Sequence, residues 1–208
     1  MKSIKGLRVL ASCEPAKLSR MRIGAGWESG TSDEVLEVVS PCTGAVVGYV
    51  PMGTRADGGR AIAAAAAAKQ RIAGLSVWER ARLCMRVADA IEARGEELAR
   101  ALCLEQGKPY HAEALGEVSA AASGFRNAGE QIKWLETACF PVEDRNKRAF
   151  SFLQPKGVFA VIEMCPYWEM HIPAGGAAGT SSGLGRTGGR HTLLEMSDLK
   201  TVTIDISR

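Results

Sequence analysis

The chain has 208 residues, with 26 Lys or Arg against 23 Asp or Glu, so its formal net charge is +3. This charge is too small to predict a nucleic-acid or membrane-surface partner, and no apolar run reaches the roughly 18 residues that a membrane span needs. A hydrophobic content of 46% and a charged content of 24% exclude wholesale disorder. We expect one domain or two small ones.

The segment 1–33 is basic and shows little hydrophobic periodicity. Its first 27 residues contain six Lys or Arg and a single acid, Glu14. Transit peptides begin in this way, but we interpret the segment as a frayed basic tail. The six cysteines, at positions 13, 42, 84, 103, 139 and 165, form no Cys-x-x-Cys pair and no Cys–His metal spacing. We therefore expect reduced thiols and a cytoplasmic protein.

A β-hairpin is predicted after this tail. Two runs rich in β-branched residues, 35–39 and 45–50, flank a Pro-x-x-Gly turn. Pro41 fixes φ in that turn and Gly44 gives the backbone the freedom to close it.

Three helices are expected next, at about 57–73, 76–106 and 109–137. Thr54 or Asp57 can cap the first helix, whose alanine run 63–68 allows a neighbour to approach closely. Gly95 breaks or weakens the second helix. The apolar positions of the second and third helices recur at helical spacing: Trp78, Ala81, Met85, Ala88 and Ile91, then Val118, Ala121, Phe125, Ala128, Ile132 and Leu135.

From residue 147 the hydrophobic period changes to two, which predicts strands. Residues 147–154 alternate, 158–162 form a continuous apolar run typical of a strand buried on both faces, and 201–206 alternate again. The segment Gly183-Leu-Gly185-Arg-Thr-Gly188 matches the dinucleotide fingerprint. Because no strand precedes it and too few residues follow it, we interpret it as a connector.

The chain resembles the NAD(P)-dependent aldehyde dehydrogenase superfamily in two separated blocks. The first block runs from about Val35 to Ile162 and the second from about Tyr167 to Ile206. Together they cover about 80% of the chain. The motifs that carry the resemblance are Ser40-Pro-x-Thr-Gly44, Trp78-Glu-Arg80, Glu105-Gln-Gly-Lys-Pro109, Pro155-Lys-Gly-Val-Phe-Ala-Val-Ile162, Ile172-Pro-Ala-Gly-Gly176 and Ser182-Gly-Leu-Gly-Arg-x-Gly-Gly189.

The resemblance implies that the middle of the family sequence is missing between these blocks. That middle holds the cofactor-binding lysine and acid, the general-base Glu and the nucleophilic Cys. No catalytic, cofactor-binding or metal-ligating residue can therefore be placed on this sequence. The family uses NAD or NADP, and we expect this chain to need neither. The resemblance also implies the fold: an α/β remnant with three amino-terminal helices, β-hairpins, an incomplete Rossmann sheet and a carboxy-terminal strand paired with strand 148–154.

The remaining thiols, histidines and aromatic residues offer little chemistry. Glu163, Cys165 and His171 are the only local candidates for a rebuilt nucleophile and base, and nothing in the sequence lowers the Cys165 pKa or forms an oxyanion hole. We therefore expect no site there. The same structural interpretation applies to the remaining candidates, which are Cys42, Cys84, Cys103, Cys139, His111, His191, Tyr167 and Trp168.

Two hypotheses follow for function. The chain is an aldehyde dehydrogenase-like protein that is inactive alone, or it is an interaction module that binds itself or a full-length aldehyde dehydrogenase subunit. We expect three segments in the chain. Residues 1–33 form a basic tail, and residues 34–162 form part of the cofactor domain, including an oligomerisation strand at 147–154. Residues 163–208 form a glycine-rich connector and a second oligomerisation strand. We expect no nucleic-acid and no membrane partner.

Overall fold

The computed structural model describes residues 2–4, 7–10, 18–160 and 189–207. These residues form a mixed α/β fold that divides into two compact units. The first unit contains residues 1–70 and 87–123, and the second contains residues 71–86 and 124–208. No helix in the described part of the chain is long and apolar enough to cross a membrane.

The first unit begins with antiparallel strands. Strands β1 (Lys2–Ile4), β2 (Leu7–Leu10), β5 (Val35–Val39) and β6 (Val46–Pro51) form one sheet in the order β1-β2-β5-β6, and β3 (Met21–Ile23) pairs with β4 (Gly26–Glu28). The predicted hairpin is confirmed as β5 and β6, with Gly44 at a φ of 69° in the turn. That φ lies in the left-handed region, which glycine adopts without a steric cost.

The expectation of a frayed tail over 1–33 is wrong, because four short strands lie within it. The hairpin of β3 and β4 turns at Gly24, whose φ is 59°. A Cβ at Gly24 would lie 3.5 Å from the Cβ of Ala64. The close approach predicted for the alanine run therefore occurs at this turn. Hydrophobic periodicity could not indicate strands that are only three or four residues long.

The predicted helices are all present, with shifted boundaries. They are α1 (Arg55–Ala73), α2 (Val77–Ala93), α3 (Gly95–Gln106) and α4 (Leu115–Gln131). Gly95 starts α3, so the expected helix 76–106 is two helices. A π-helical turn, Tyr110–Ala114, precedes α4, and a 3₁₀ turn, Ile132–Trp134, follows it. The third helix therefore ends before residue 137.

The core of the first unit is built from small side chains of α3, of the π-helical turn and of α4. Ala99 and Ala114 are fully buried and Val118 nearly so, and partly buried apolar side chains surround them. The buried face of α4 contains Ala122, whereas the stripe predicted from the sequence contained Ala121 and Phe125, both of which are exposed. Ala122 continues the buried positions Ala114 and Val118 at a spacing of four residues, which a helix places on one face.

In the second unit, Gly129 of α4 lies against α2. A Cβ at Gly129 would be 3.1 Å from the Ala81 carbonyl oxygen and 3.2 Å from the Cβ of Cys84. Ala81 is buried as predicted, but Trp78 is 62% exposed. The ammonium group of Lys133 lies 5.4 Å from the centre of the Trp78 ring, which is within cation–π range.

The second unit also holds a three-stranded antiparallel sheet in the order β7 (Cys139–Phe140), β8 (Lys147–Pro155), β9 (Ser197–Asp205). The predicted pairing of the last strand with strand 148–154 is confirmed, and it runs without interruption from Lys147 opposite Asp205 to Pro155 opposite Ser197. A helix of seven residues, α5 (Gly189–Glu195), leads into β9.

The strand predicted at 158–162 is wrong in the part that the structure describes. Residues 158–160 have no regular secondary structure, and Val158 and Phe159 are more than 40% exposed. An apolar run forms a strand buried on both faces only where other strands pair with its edges and further layers of structure cover both faces of the sheet. Residues 161 and 162 lie outside the described residues.

Candidate functional site

The catalytic candidates from the sequence are not described by the structure. Glu163, Cys165 and His171, like the glycine segment 183–188, lie outside the described residues, as do the side chains of Tyr167, Trp168 and His191. Among the side chains that are described, no group of three or more His, Cys, Asp or Glu residues could hold a metal ion. The features left for a function are two polar contacts in the first unit and the sheet of the second.

The first polar contact joins the loop before β5 to the start of α1 through Asp57. The backbone N–H groups of Thr54 and Thr31 donate to the Asp57 carboxylate at 2.8 and 3.1 Å, and the hydroxyls of both threonines donate at 2.8 and 3.0 Å. Arg60 donates from Nη2 at 2.8 Å. In return, the Thr54 hydroxyl accepts the Asp57 N–H at 3.2 Å, which completes a capping box.

These hydrogen bonds hold the pKa of the Asp57 carboxyl well below its ordinary value. The Thr54 N–H has the largest effect, and with the other donors it outweighs burial, which acts in the opposite direction. A carboxylate stabilised in this way stays ionised at neutral pH and is a poor proton donor or acceptor. Asp57 therefore fixes the first turn of α1 and does not serve as an acid or base.

The second polar contact is an ion pair between Lys108 and Glu117. Both side chains are largely buried, with 10% and 19% of their surfaces exposed. Lys108 follows Gly107, whose φ of 74° ends α3, and Glu117 lies in the first turn of α4. The ion pair thus joins the two ends of the segment that contains the π-helical turn. Turns of this kind often mark functional positions, but both charges here are already paired.

The structure describes the surroundings of four thiols and of His111. The Cys42 side chain is exposed in the β5–β6 turn, and its Sγ donates to the Gly107 carbonyl at 3.8 Å. Cys84 and Cys103 are half-buried, and Cys139 is exposed. The ring of His111 makes an edge contact with that of Tyr110.

The sheet of the second unit has two unlike faces. On one face, Ala149 and Ser151 of β8 are buried, and the Ser151 hydroxyl accepts the Ala138 N–H at 3.0 Å. On the other face, Phe152 is 39% and Ile204 47% exposed. Since cross-strand neighbours share a face, Phe150, Phe152, Val202 and Ile204 lie together on this surface, with Arg148 opposite Ile204 and Lys200 opposite Phe152, and we call it the open face.

The sequence profile described as Aldehyde dehydrogenase family matches residues 27–168. This is more than half of the chain. The chain belongs to the aldehyde dehydrogenase family. The matched region contains all four long helices and strand β8, so it includes most of both units.

Curated relatives and solved structures agree with this assignment. The chain is 36% identical over 149 residues to a glutarate-semialdehyde dehydrogenase of Pseudomonas aeruginosa, covering 71% of this chain and 31% of the relative. It is 38% identical over 150 residues to a phenylacetaldehyde dehydrogenase of Pseudomonas fluorescens, covering 69% and 30%. The structure of a succinate-semialdehyde dehydrogenase from Burkholderia pseudomallei superimposes with a TM-score of 0.63 at 37% identity, over 68% of this chain and 30% of that one.

This aldehyde dehydrogenase-family chain thus spans less than a third of the length of these relatives. The profile covers the motifs of the first block, between Ser40 and Ile162. The second block of resemblance, which begins near Tyr167, extends beyond the matched region. The pairing of β9 with β8 is the structural observation that joins this block to the first.

Sequence reasoning missed part of the first polar contact and the whole of the second. The capping box of Thr54 and Asp57 has a local signature, a threonine followed three residues later by an acid. Thr31 has none, because it lies 26 residues from Asp57. The ion pair of Lys108 with Glu117 spans nine residues across a π-helical turn, so α-helical spacing does not indicate it.

Proposed function

We propose that this chain is an aldehyde dehydrogenase-like protein that does not oxidise aldehydes by itself. The family match over residues 27–168, on less than a third of the length of the relatives, is the observation that carries this proposal. The parent reaction is the NAD(P)-dependent oxidation of an aldehyde to a carboxylic acid. Several relatives are named as semialdehyde dehydrogenases, so we further propose a parent substrate that bears a carboxylate.

The chemistry of this reaction explains the proposed inactivity. It needs a thiolate nucleophile, donors for the oxyanion, a bound nicotinamide and a base that activates water. The sequence matches the family at none of the positions that supply these groups. The buried acid that the structure does describe, Asp57, is fully engaged by the threonines at the start of α1 and by Arg60.

An assay with purified protein tests this proposal. Succinate semialdehyde and glutarate semialdehyde are offered with NAD or NADP, and reduced cofactor is followed by absorbance, with a full-length dehydrogenase as the positive control. We expect no rate above the protein-free blank and no saturable NAD binding by calorimetry. Aldehyde-dependent NADH formation that disappears on Cys165→Ser would contradict the proposal.

A second candidate function is assembly. We propose that the sheet β7–β8–β9 binds another polypeptide, either a second copy or a full-length aldehyde dehydrogenase subunit. The support is the open face, whose side chains Phe152 and Ile204 are substantially exposed, together with the family resemblance, in which strands like these form an oligomerisation sheet. Apolar side chains left in water forgo about 1.5–3 kcal/mol each on complete exposure, which favours a partner.

Light scattering after size exclusion tests assembly, with and without a co-expressed full-length relative. We expect a species heavier than 22.1 kDa, and less of it for the open-face variant Ile204→Glu. Lys69→Ala, on the exposed surface of α1, is the control and should leave the mass unchanged. A monomer at every concentration, with no full-length subunit retained, would contradict this second function.

A further inference from the structure

Strand β9 is the last strand of its sheet among the described strands, and its backbone hydrogen bonds reveal which groups point outward. The Ile206 N–H donates to the Asn146 carbonyl at 2.6 Å, and the Lys156 N–H donates to the Met196 carbonyl at 3.1 Å. Both bonds join even-numbered residues of the β9 segment to the β8 side. In an antiparallel pair such residues alternate with residues whose N–H and C=O point the other way.

The odd-numbered residues of β9 therefore aim their backbone groups away from β8. These residues are Ser197, Leu199, Thr201, Thr203 and Asp205. The pairing of β8 and β9 has no bulge, so the alternation holds along the whole strand. On the opposite side of β8, the Ser151 N–H donates to the Ala138 carbonyl at 2.8 Å, which is the direction that this alternation requires.

This outward edge is long and accessible. All four of the odd-numbered residues from Leu199 to Asp205 are exposed, and Leu199 is 62% exposed. A row of unpaired N–H and C=O groups is a template for another strand. Native proteins usually shorten or twist such an edge, whereas β9 has nine residues in regular register.

We propose that a second copy of this chain binds this edge with its own β9, antiparallel and centred on Thr201. This inference rests on the assembly function proposed above and names its partner and register. A two-fold axis perpendicular to the sheet keeps paired side chains on the same face. Since side chains alternate between faces along a strand, paired residues have numbers that differ by an even number. Among the outward-pointing positions, Thr201 is the centre that pairs all nine residues of β9, since it lies midway between Ser197 and Asp205.

The side chains of β9 suit this register. Thr201 faces its own copy, and threonine pairs are favourable across antiparallel strands. Lys200 faces Val202, and Asp198 faces Ile204, so no charged side chain directly opposes a like charge. Asp205 faces Ser197, which carries no charge. The same contacts occur twice, as a symmetric dimer requires, and the two open faces join into one six-stranded surface.

A proline substitution on the outward edge tests the proposal. Thr201→Pro removes an N–H that points away from β8, and edge positions of this kind tolerate proline. We expect Thr201→Pro to weaken self-association at least tenfold while the circular dichroism spectrum stays unchanged. Thr201→Val keeps the N–H and the β-branched shape, and should associate like the unmodified chain.

Amide hydrogen exchange of the unmodified chain provides a second measurement that needs no variant. Under conditions in which the chain associates, the amides of Leu199, Thr201 and Thr203 should be protected, and dilution should remove this protection. The amides of Lys200, Val202 and Ile204 should stay protected on dilution because they bond β8. If Thr201→Pro fails to fold, this alternation decides the question.

The possible outcomes separate this inference from the function on which it rests. Association that persists in folded Thr201→Pro, or odd-numbered amides that exchange freely in the associated state, would contradict pairing along the β9 edge. Either result would leave the proposed assembly function itself standing. Association only with a full-length subunit would overturn the second copy as the partner. A chain that remains monomeric and retains no subunit would overturn both.

Discussion

The helical cluster around Ala99 and the sheet β7–β8–β9 differ in how completely they cover their apolar side chains. Ala99 and Ala114 are fully buried and Val118 is 7% exposed, whereas Phe152 of the sheet is 39% and Leu199 62% exposed. The cluster is built within one continuous stretch of chain, and the sheet joins strands that are far apart in the sequence.

This difference indicates where each region finds its packing partners. In the helical cluster, small residues bring two helices together, and the apolar side chains between them are buried within the chain itself. In the sheet, β9 forms backbone hydrogen bonds with β8 on one side, while the open face and the outer edge of β9 remain accessible. The assembly proposed for this chain therefore depends on the sheet. The free energy of unfolding of the chain should be more sensitive to changes in the helical cluster.

Overfilling the helical cluster should give the largest effect. Ala99→Leu places three additional carbon atoms at a fully buried position of α3. Such overpacking costs about 1–3 kcal/mol of unfolding free energy, which urea denaturation followed by circular dichroism will measure. The control is Ala101→Leu, an exposed position of the same helix, for which the change should stay within about 0.5 kcal/mol. Equal losses in both variants would show that the cluster is not tightly packed.

The end of α3 gives a smaller effect of the same kind. Gly107 has a φ of 74°, and an added Cβ would lie 3.0 Å from both Cys42 Sγ and Pro41 Cγ. We expect Gly107→Ala to reduce the unfolding free energy by about 1 kcal/mol or more, because the conformation is incompatible with a side chain. Gly95→Ala is the matched control, since nothing lies within 4 Å of its added Cβ. A stabilised Gly107→Ala would contradict the assigned backbone conformation.

Loss of the capping box at α1 should cost about 1 kcal/mol. Thr54→Ala removes the hydroxyl that accepts the Asp57 N–H and one of the donors to its carboxylate. Thr54→Ser retains both functions and should behave like the unmodified chain in thermal melts. Comparable destabilisation by Ser and Ala would mean that the methyl group, and not the hydroxyl, is what matters.

The same contact predicts a pH dependence with a definite sign. Because the pKa of Asp57 is lowered in the folded chain, its ionised form stabilises the fold above the unfolded-state pKa of about 3.9. This stabilisation is lost as the pH falls from there toward the folded-state pKa. The difference in melting temperature between the unmodified chain and Asp57→Asn should be constant between pH 6 and 8 and should shrink below about pH 4. A difference that grows on acidification would contradict the assignment.

The smallest effect on folding is expected on the open face of the sheet. Ile204→Thr changes a side chain that is 47% exposed, so the unfolding free energy of the dilute chain should change by no more than about 0.5 kcal/mol. The contrasting variant is Ala149→Leu, on the buried face of the neighbouring strand, which should destabilise by about 1–3 kcal/mol. If Ile204→Thr proves as costly as Ala149→Leu, the open face is covered in the isolated chain.

Local signals in the sequence were sufficient for much of this fold. The start of α2 has a local capping signature, a serine at position 76 followed three residues later by Glu79, and Ser76 Oγ donates to the Glu79 carboxylate at 2.8 Å. The turn at Gly44 and the alternation over 147–154 were likewise correct. Strand β9 begins at Ser197, earlier than the predicted residue 201. The prediction missed these first residues because the charged side chains of Asp198 and Lys200 interrupt the alternation of hydrophobic residues.

Tertiary contacts decided the rest. The sequence by itself determined the family and the helices, since each leaves a motif or a period along the chain, and the family resemblance in turn implied the pairing of the last strand. It could not determine that α4 turns Ala122 and Gly129 inward and Phe125 outward, that Thr31 reaches Asp57, or which backbone groups of β9 face away from β8. These depend on how closely neighbouring elements approach and on which residues, distant along the chain, become neighbours. No local pattern of residue types encodes such distances.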